Sequence, residues 1–83
     1  MVDDKTGIFD VTLVKKKLIS SMLKEVCLAL KERGYNPINQ IVGYLISGDP
    51  GYISNYKDCR NKITEFDRSL VMAIVLEDYI KRI

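Results

Sequence analysis

Val14, Leu18, Met22, Val26 and Leu30 recur every fourth residue, and Ile19, Leu23 and Cys27 each follow one position on. Apolar residues at this period form one wide stripe on a helix, here sustained for about five turns. Lys15, Lys16, Lys17, Lys24, Glu25, Lys31 and Glu32 lie off the stripe. Asp10 or Thr12 can cap the start, since either side chain can accept from an orphan N–H of the first turn. Gly34 suits a left-handed C-terminal stop, with Arg33 at the negative end of the helix.

Two short apolar segments follow, each opened by the same signal. Asn36–Pro37 reads as a cap and a first helical residue, because proline loses nothing where the N–H would be unpaired. Ile38, Ile41, Val42 and Leu45 then share a face until Ser47–Gly48 stops the helix. Asp49–Pro50 repeats the start and opens a turn or short helix through Tyr52 and Ile53. A further helix is expected around Asp58–Phe66, with Ile63 and Phe66 inward. Asp67 caps the last one, where Val71, Met72, Val75, Leu76, Tyr79 and Ile80 form the stripe. Leu70, Ala73, Ile74 and Ile83 add apolar surface outside it. A helix apolar on several sides must be buried on several sides. In so small a domain that points to a subunit interface, with Leu70, Ile74, Val75 and Ile83 as its candidates.

No strand pattern competes, so the expected fold is all-α: a small bundle of four to five helices with short Asn-Pro and Asp-Pro joints. Residues 1–9 have no periodicity and read as a polar arm, leaving residues 10–83 as a single helical domain. Eighty-three residues bury only about 60–65% of the surface their unfolded chain exposes, so a partner subunit adds much to stability. A dimer is therefore the expected state.

Charge modifies this picture locally. The net charge is +2, but residues 1–10 carry −2 (Asp3, Asp4 and Asp10 against Lys5). Residues 14–34 carry +4, with six basic side chains against Glu25 and Glu32. So small a net charge argues against a dedicated nucleic-acid binder. Two short helices joined by a glycine turn do suit a helix-turn-helix, and a small nucleic-acid-binding module of that kind is the alternative function. Yet no Lys or Arg occurs between Arg33 and Lys57, and a reading helix needs such groups outward. Residues 1–9 are acidic and lack the apolar run of a secretory signal. No apolar stretch reaches the ~18–20 residues a membrane span needs. A cytoplasmic protein is expected.

Candidate chemistry is sparse. Histidine is absent, which removes Ser-His and Cys-His nucleophile pairs and the commonest metal ligand. Cys27 and Cys59 lack metal or disulfide-framework spacing and read as buried free thiols. Glu77 and Asp78 are adjacent, so on a helix they point apart and are poorly placed to share a proton. Gly43 and Gly48 open a P-loop spacing, but Asp49 and Pro50 stand where lysine and a hydroxyl are required. No catalytic residue, cofactor or metal site is assigned, and the protein is read as no enzyme. Asn39, Gln40, Gly43 and Tyr44 are not needed for joint-making, and a glycine inside a helix costs up to about 1 kcal/mol. They form a candidate interaction face.

The stretch from Arg33 to Arg60, RGYNPINQIVGYLISGDPGYISNYKDCR, resembles the signature of the IreB family, small regulatory proteins of Gram-positive bacteria. The likeness extends more weakly from about Thr6 to Ile80. The sequence departs from the pattern at Ser54, where proline is usual, and at Cys59, where alanine is. The resemblance implies an all-helical homodimer without catalytic activity. It also implies a substrate of a PASTA-type Ser/Thr kinase opposed by a PP2C-type phosphatase, acting negatively in cell-envelope stress and cephalosporin-resistance signalling through an unknown downstream protein. Phosphorylation is implied on a threonine of the arm. Thr6 matches that position, and Thr12 is a weaker substitute because it begins the helix. A phosphate adds about −1.5 to −2 charge, and Lys15, Lys16 and Lys17 are its candidate docking group.

Overall fold

The expected caps and stops fix the joints. The computed structural model describes residues 11–83, and the chain runs as four α-helices and two single 3₁₀ turns: α1 (Val11–Glu32), α2 (Pro37–Ser47), the turns Pro50–Tyr52 and Tyr56–Asp58, α3 (Cys59–Thr64) and α4 (Arg68–Arg82). Among the described residues there is no strand. Thr12 lies inside α1 and does not cap it, and Asp10 falls outside the described residues. Helix α1 closes with Gly34 at φ +80°. There the N–H groups of Gly34 and Tyr35 donate to the carbonyls of Lys31 and Leu30, both at 2.9 Å, which satisfies two of the last carbonyls.

Helix α2 starts as the sequence indicates. Asn36 Oδ1 accepts from the Asn39 N–H at 3.2 Å, and Pro37 occupies the first turn. It stops at Gly48, at φ +77°, whose N–H donates to the Tyr44 carbonyl at 2.7 Å. Asp49 Oδ1 then accepts from Gly51 N–H at 2.8 Å and opens the first 3₁₀ turn. Asp67 caps α4 by accepting from Ser69 N–H at 3.0 Å. Helix α3 is shorter than expected. The chain before it uses Lys57 and Asp58 in the left-handed region, at φ +53° and +64°, a conformation that Gly adopts freely and other residues at a cost.

One core joins all four helices. Ile19, Met22, Val26, Ala29 and Leu30 of α1 meet Ile41 and Tyr44 of α2, Ile53 from between the turns, Cys59 and Ile63 of α3, and Val71 and Ile74 of α4. Helix α4 lies antiparallel to α1: buried Ile74 lies by Leu23 and Ser20, with Val75 at the rim, while Glu77, further along α4, reaches the earlier Lys16 at 3.6 Å.

Three expected faces are corrected here. In α2, Ile38 and Val42 do not share a buried face with Ile41 and Leu45: the first two are exposed, because only Ile41 and Leu45 of the four turn to the core. In α1, Leu13, Val14 and Leu18 are largely exposed, because α2 and α3 cover only the second half of this long helix. In α4 the inward side is Val71 and Ile74 with part of Leu70, while Met72, Val75, Leu76, Tyr79 and Ile80 face outward. The start of α4 is also anchored. Arg68 Nη1 donates to the Leu45 carbonyl at 2.8 Å, and its guanidinium lies so close to Gly48 that a Cβ there would come within 2.9 Å. That contact ties the start of α4 to the end of α2.

Candidate functional site

Helix α2 has three kinds of neighbour. Ile41, Tyr44 and part of Leu45 enter the core. A second side receives the Asp-Pro segment: Gln40 Oε1 accepts from Ser54 N–H at 2.8 Å, and the Tyr52 ring lies on Gly43. A Cβ at Gly43 would sit 2.6 Å from Tyr52 Cδ1, so close approach of this ring is what requires glycine inside the helix. The Asp-Pro segment is held from the other side by Arg60 Nε, which donates to the Ile53 carbonyl at 2.8 Å. Gln40 and Gly43 therefore hold the chain's own loop, Tyr44 is buried in the core, and only Asn39 of the four expected face residues is exposed. The third side carries Ile38, Val42 and Ile46, exposed to 70%, 44% and 79%. This is the outer side on which a DNA-reading helix would carry amide or basic groups, and it is aliphatic.

The expected α4 interface divides. Ile74 is buried and Leu70 packs on the chain's own core, whereas Val75 is half exposed and Ile83, at 86%, is the most exposed large apolar residue among those described. Leu76, Tyr79 and Ile80 are exposed with them along the outer side of α4, whereas Leu18 of α1 lies on the other side, beside Lys62, Glu65 and Phe66.

Thr6, the expected phosphate acceptor, lies outside the described residues. Thr12 is exposed in the first turn of α1. Of the three lysines that follow, Lys16 is partly covered and paired with Glu77. Consecutive helical residues fan out by about 100° each, so Lys15 and Lys17 leave α1 on different sides of Lys16, and both are exposed.

One polar cluster has no local signature in the sequence. Glu32, at the end of α1, accepts from Lys57 Nζ at 2.8 Å and from Tyr56 Oη at 3.0 Å. Arg33 stacks over the Tyr56 ring, 4.9 Å from its centroid. The two sides are 24 and 25 residues apart, beyond any local spacing rule. The Lys57 and Tyr56 bonds hold the Glu32 carboxyl below its ordinary range, and Glu32 raises the Lys57 ammonium. Glu32 thus contributes fully above its unfolded pKa of about 4.3 and loses that contribution as pH falls through its lower folded value. Lys57 contributes fully below about 10.4 and loses it as pH rises through its higher folded value. Glu32→Gln should flatten the acid side of the Tm-against-pH curve, by a small amount because the pair is solvent-exposed. Thermal scans from about pH 3 to 6 measure it.

Cys27 and Cys59 are both free thiols. Burial raises both above the ordinary cysteine value, which keeps them protonated and unreactive. Among the described residues no three His, Cys, Asp or Glu side chains come together as a metal site. No described helix is long and apolar enough to cross a membrane.

Fold and surface together describe a small all-α domain whose distinctive groups are outward apolar faces and a scaffold loop held by side-chain bonds to backbone. The family model for the IreB regulatory phosphoprotein matches residues 4–81, nearly the whole chain. The chain belongs to the IreB family, and its role is a regulatory one.

Proposed function

We propose that the protein is a non-enzymatic, cytoplasmic regulator that acts as a homodimer and is switched by phosphorylation of Thr6 in its N-terminal arm. The kinase is of the PASTA type, a PP2C-type phosphatase opposes it, and the output is negative control of cell-envelope stress and cephalosporin-resistance signalling. The observation that carries this reading is the match of residues 4–81 to a family of regulatory phosphoproteins, which includes the arm's only threonine.

The chain's physical features support the same reading. Thr6 precedes Lys15 and Lys17 by nine and eleven residues, and both lysines are exposed on α1. A phosphate on Thr6 adds about −1.5 to −2 charge within reach of those two ammonium groups. Lys16 contributes less, since Glu77 already engages it. The second copy covers Val75, Leu76, Tyr79, Ile80 and Ile83, which supplies the burial that a chain of this length lacks by itself. A strain carrying Thr6→Ala tests the reading. The variant should fold and self-associate normally while its regulatory output no longer follows kinase activity. Output that still follows the kinase would reject the switch.

A further inference from the structure

Among the described residues four take a positive φ: Gly34, Gly48, Lys57 and Asp58. The two glycines stop α1 and α2 and adopt that region freely. Lys57 and Asp58 are consecutive, and each carries a Cβ that crowds the backbone in a left-handed conformation. Strained backbone of this kind persists only where its surroundings hold it there.

Packing does not hold this turn, because Lys57 and Asp58 are both exposed. Some of its bonds are internal. Asp58 N–H donates to the Asn55 carbonyl at 3.0 Å, and Cys59 N–H donates to the Tyr56 carbonyl. Arg60 N–H donates to Asn55 Oδ1 at 3.3 Å, and Asn61 Nδ2 donates to Asp58 Oδ1 at 2.9 Å. The grip from elsewhere in the chain is Glu32, the last residue of α1. One of its carboxylate oxygens accepts from Lys57 Nζ and the other from Tyr56 Oη, so one side chain holds two consecutive residues of the turn. Arg33, over the Tyr56 ring, adds a contact from the same end of α1.

The flanks are independent of that grip. Ile53 before the turn and Cys59 after it are fully buried, and Lys62 of α3 pairs separately with Glu25 of α1 at 3.4 Å. The turn can therefore change while the core on both sides stays in place. With Glu32 engaged, the strained form is held. With Glu32 disengaged, Lys57 and Asp58 relax to right-handed or extended backbone, and Lys57 Nζ and Tyr56 Oη lose their acceptor.

We propose that the Tyr56–Asp58 turn is a two-state joint kept in its strained form by Glu32, which acts as a latch from the end of α1. The joint lies in the helical domain and needs neither a second copy nor a phosphate. Hydrogen exchange of the full chain, followed by NMR, tests it at the Cys59 and Arg60 amides, whose bonds to Tyr56 and Asn55 span the strained pair. Glu32→Ala should lower the protection of both about fivefold, as expected for losing two bonds to an exposed carboxylate. The Met22 and Val26 amides, in the core stretch of α1, should keep theirs. Adding Lys57→Gly and Asp58→Gly to Glu32→Ala should bring Cys59 and Arg60 back to within about twofold of the unsubstituted chain, because glycine adopts the left-handed form without a latch. Protection unchanged by Glu32→Ala, protection lost equally at Met22 and Val26, or no recovery with the two glycines would each overturn the proposal.

Discussion

Ile53→Ala should destabilise the protein by about 2–5 kcal/mol, the range for truncating a fully buried isoleucine. Ile53 sits in neither a long helix nor a hydrophobic run, yet it is 0% exposed. It plugs the core from between the two 3₁₀ turns while its N–H donates to the Pro50 carbonyl and its own carbonyl receives Arg60. Truncation leaves a cavity that those backbone bonds prevent from collapsing, so the upper half of the range is expected. For a domain of this length that corresponds to a fall in Tm of about 10–30 °C. The control is Ile46→Ala, on the exposed ridge of α2, which should change stability by less than about 0.5 kcal/mol in the isolated protein. Urea unfolding of both variants at one protein concentration makes the comparison. Equal effects at the two positions would mean that Ile53 does not hold the turns to the helices.

The second large effect is on assembly. Leu76→Arg combined with Ile80→Arg should leave the helical content intact and weaken self-association about a thousandfold or more, since two central contacts worth about 2 kcal/mol each are replaced by buried charge. Both side chains lie outside the chain's own core, so folding of one protomer does not need them. Ile74→Arg provides the contrast. Ile74 is buried within the protomer, and that substitution should unfold the chain and not merely separate two copies. Sedimentation equilibrium and circular dichroism together separate these outcomes. Association unaffected by the double substitution would remove α4 from the interface.

Local signals were legible because their causes are local. Asn36, Asp49 and Asp67 each bond an N–H two or three residues on, and Gly34 and Gly48 each supply a left-handed stop. A cap needs nothing from the rest of the fold, so the sequence alone placed these joints. The facing of each helix was harder. Periodicity marks Val71–Met72 and Val75–Leu76 equally, and the inward turn of Val71 and Ile74 is set by packing against residues distant in sequence. The same limit applies to Gly43. Its presence in a helix signals close approach, but the partner is Tyr52 of the chain's own loop, which the sequence does not reveal. The left-handed pair Lys57–Asp58 carries no glycine or asparagine to announce it. Of the expected interaction face on α2, Gln40, Gly43 and Tyr44 turn to the chain's own loop and core, a facing that the sequence does not reveal.

Switching by the proposed route requires the arm to be a phosphate acceptor. The full chain, incubated with ATP and the catalytic domain of the cognate Ser/Thr kinase, should take up one phosphate that fragmentation mass spectrometry assigns to Thr6, and Thr6→Ala should take up none. Phosphate found instead on Thr12 or on a residue of the helical domain, or a chain left unmodified by an active kinase, would contradict it.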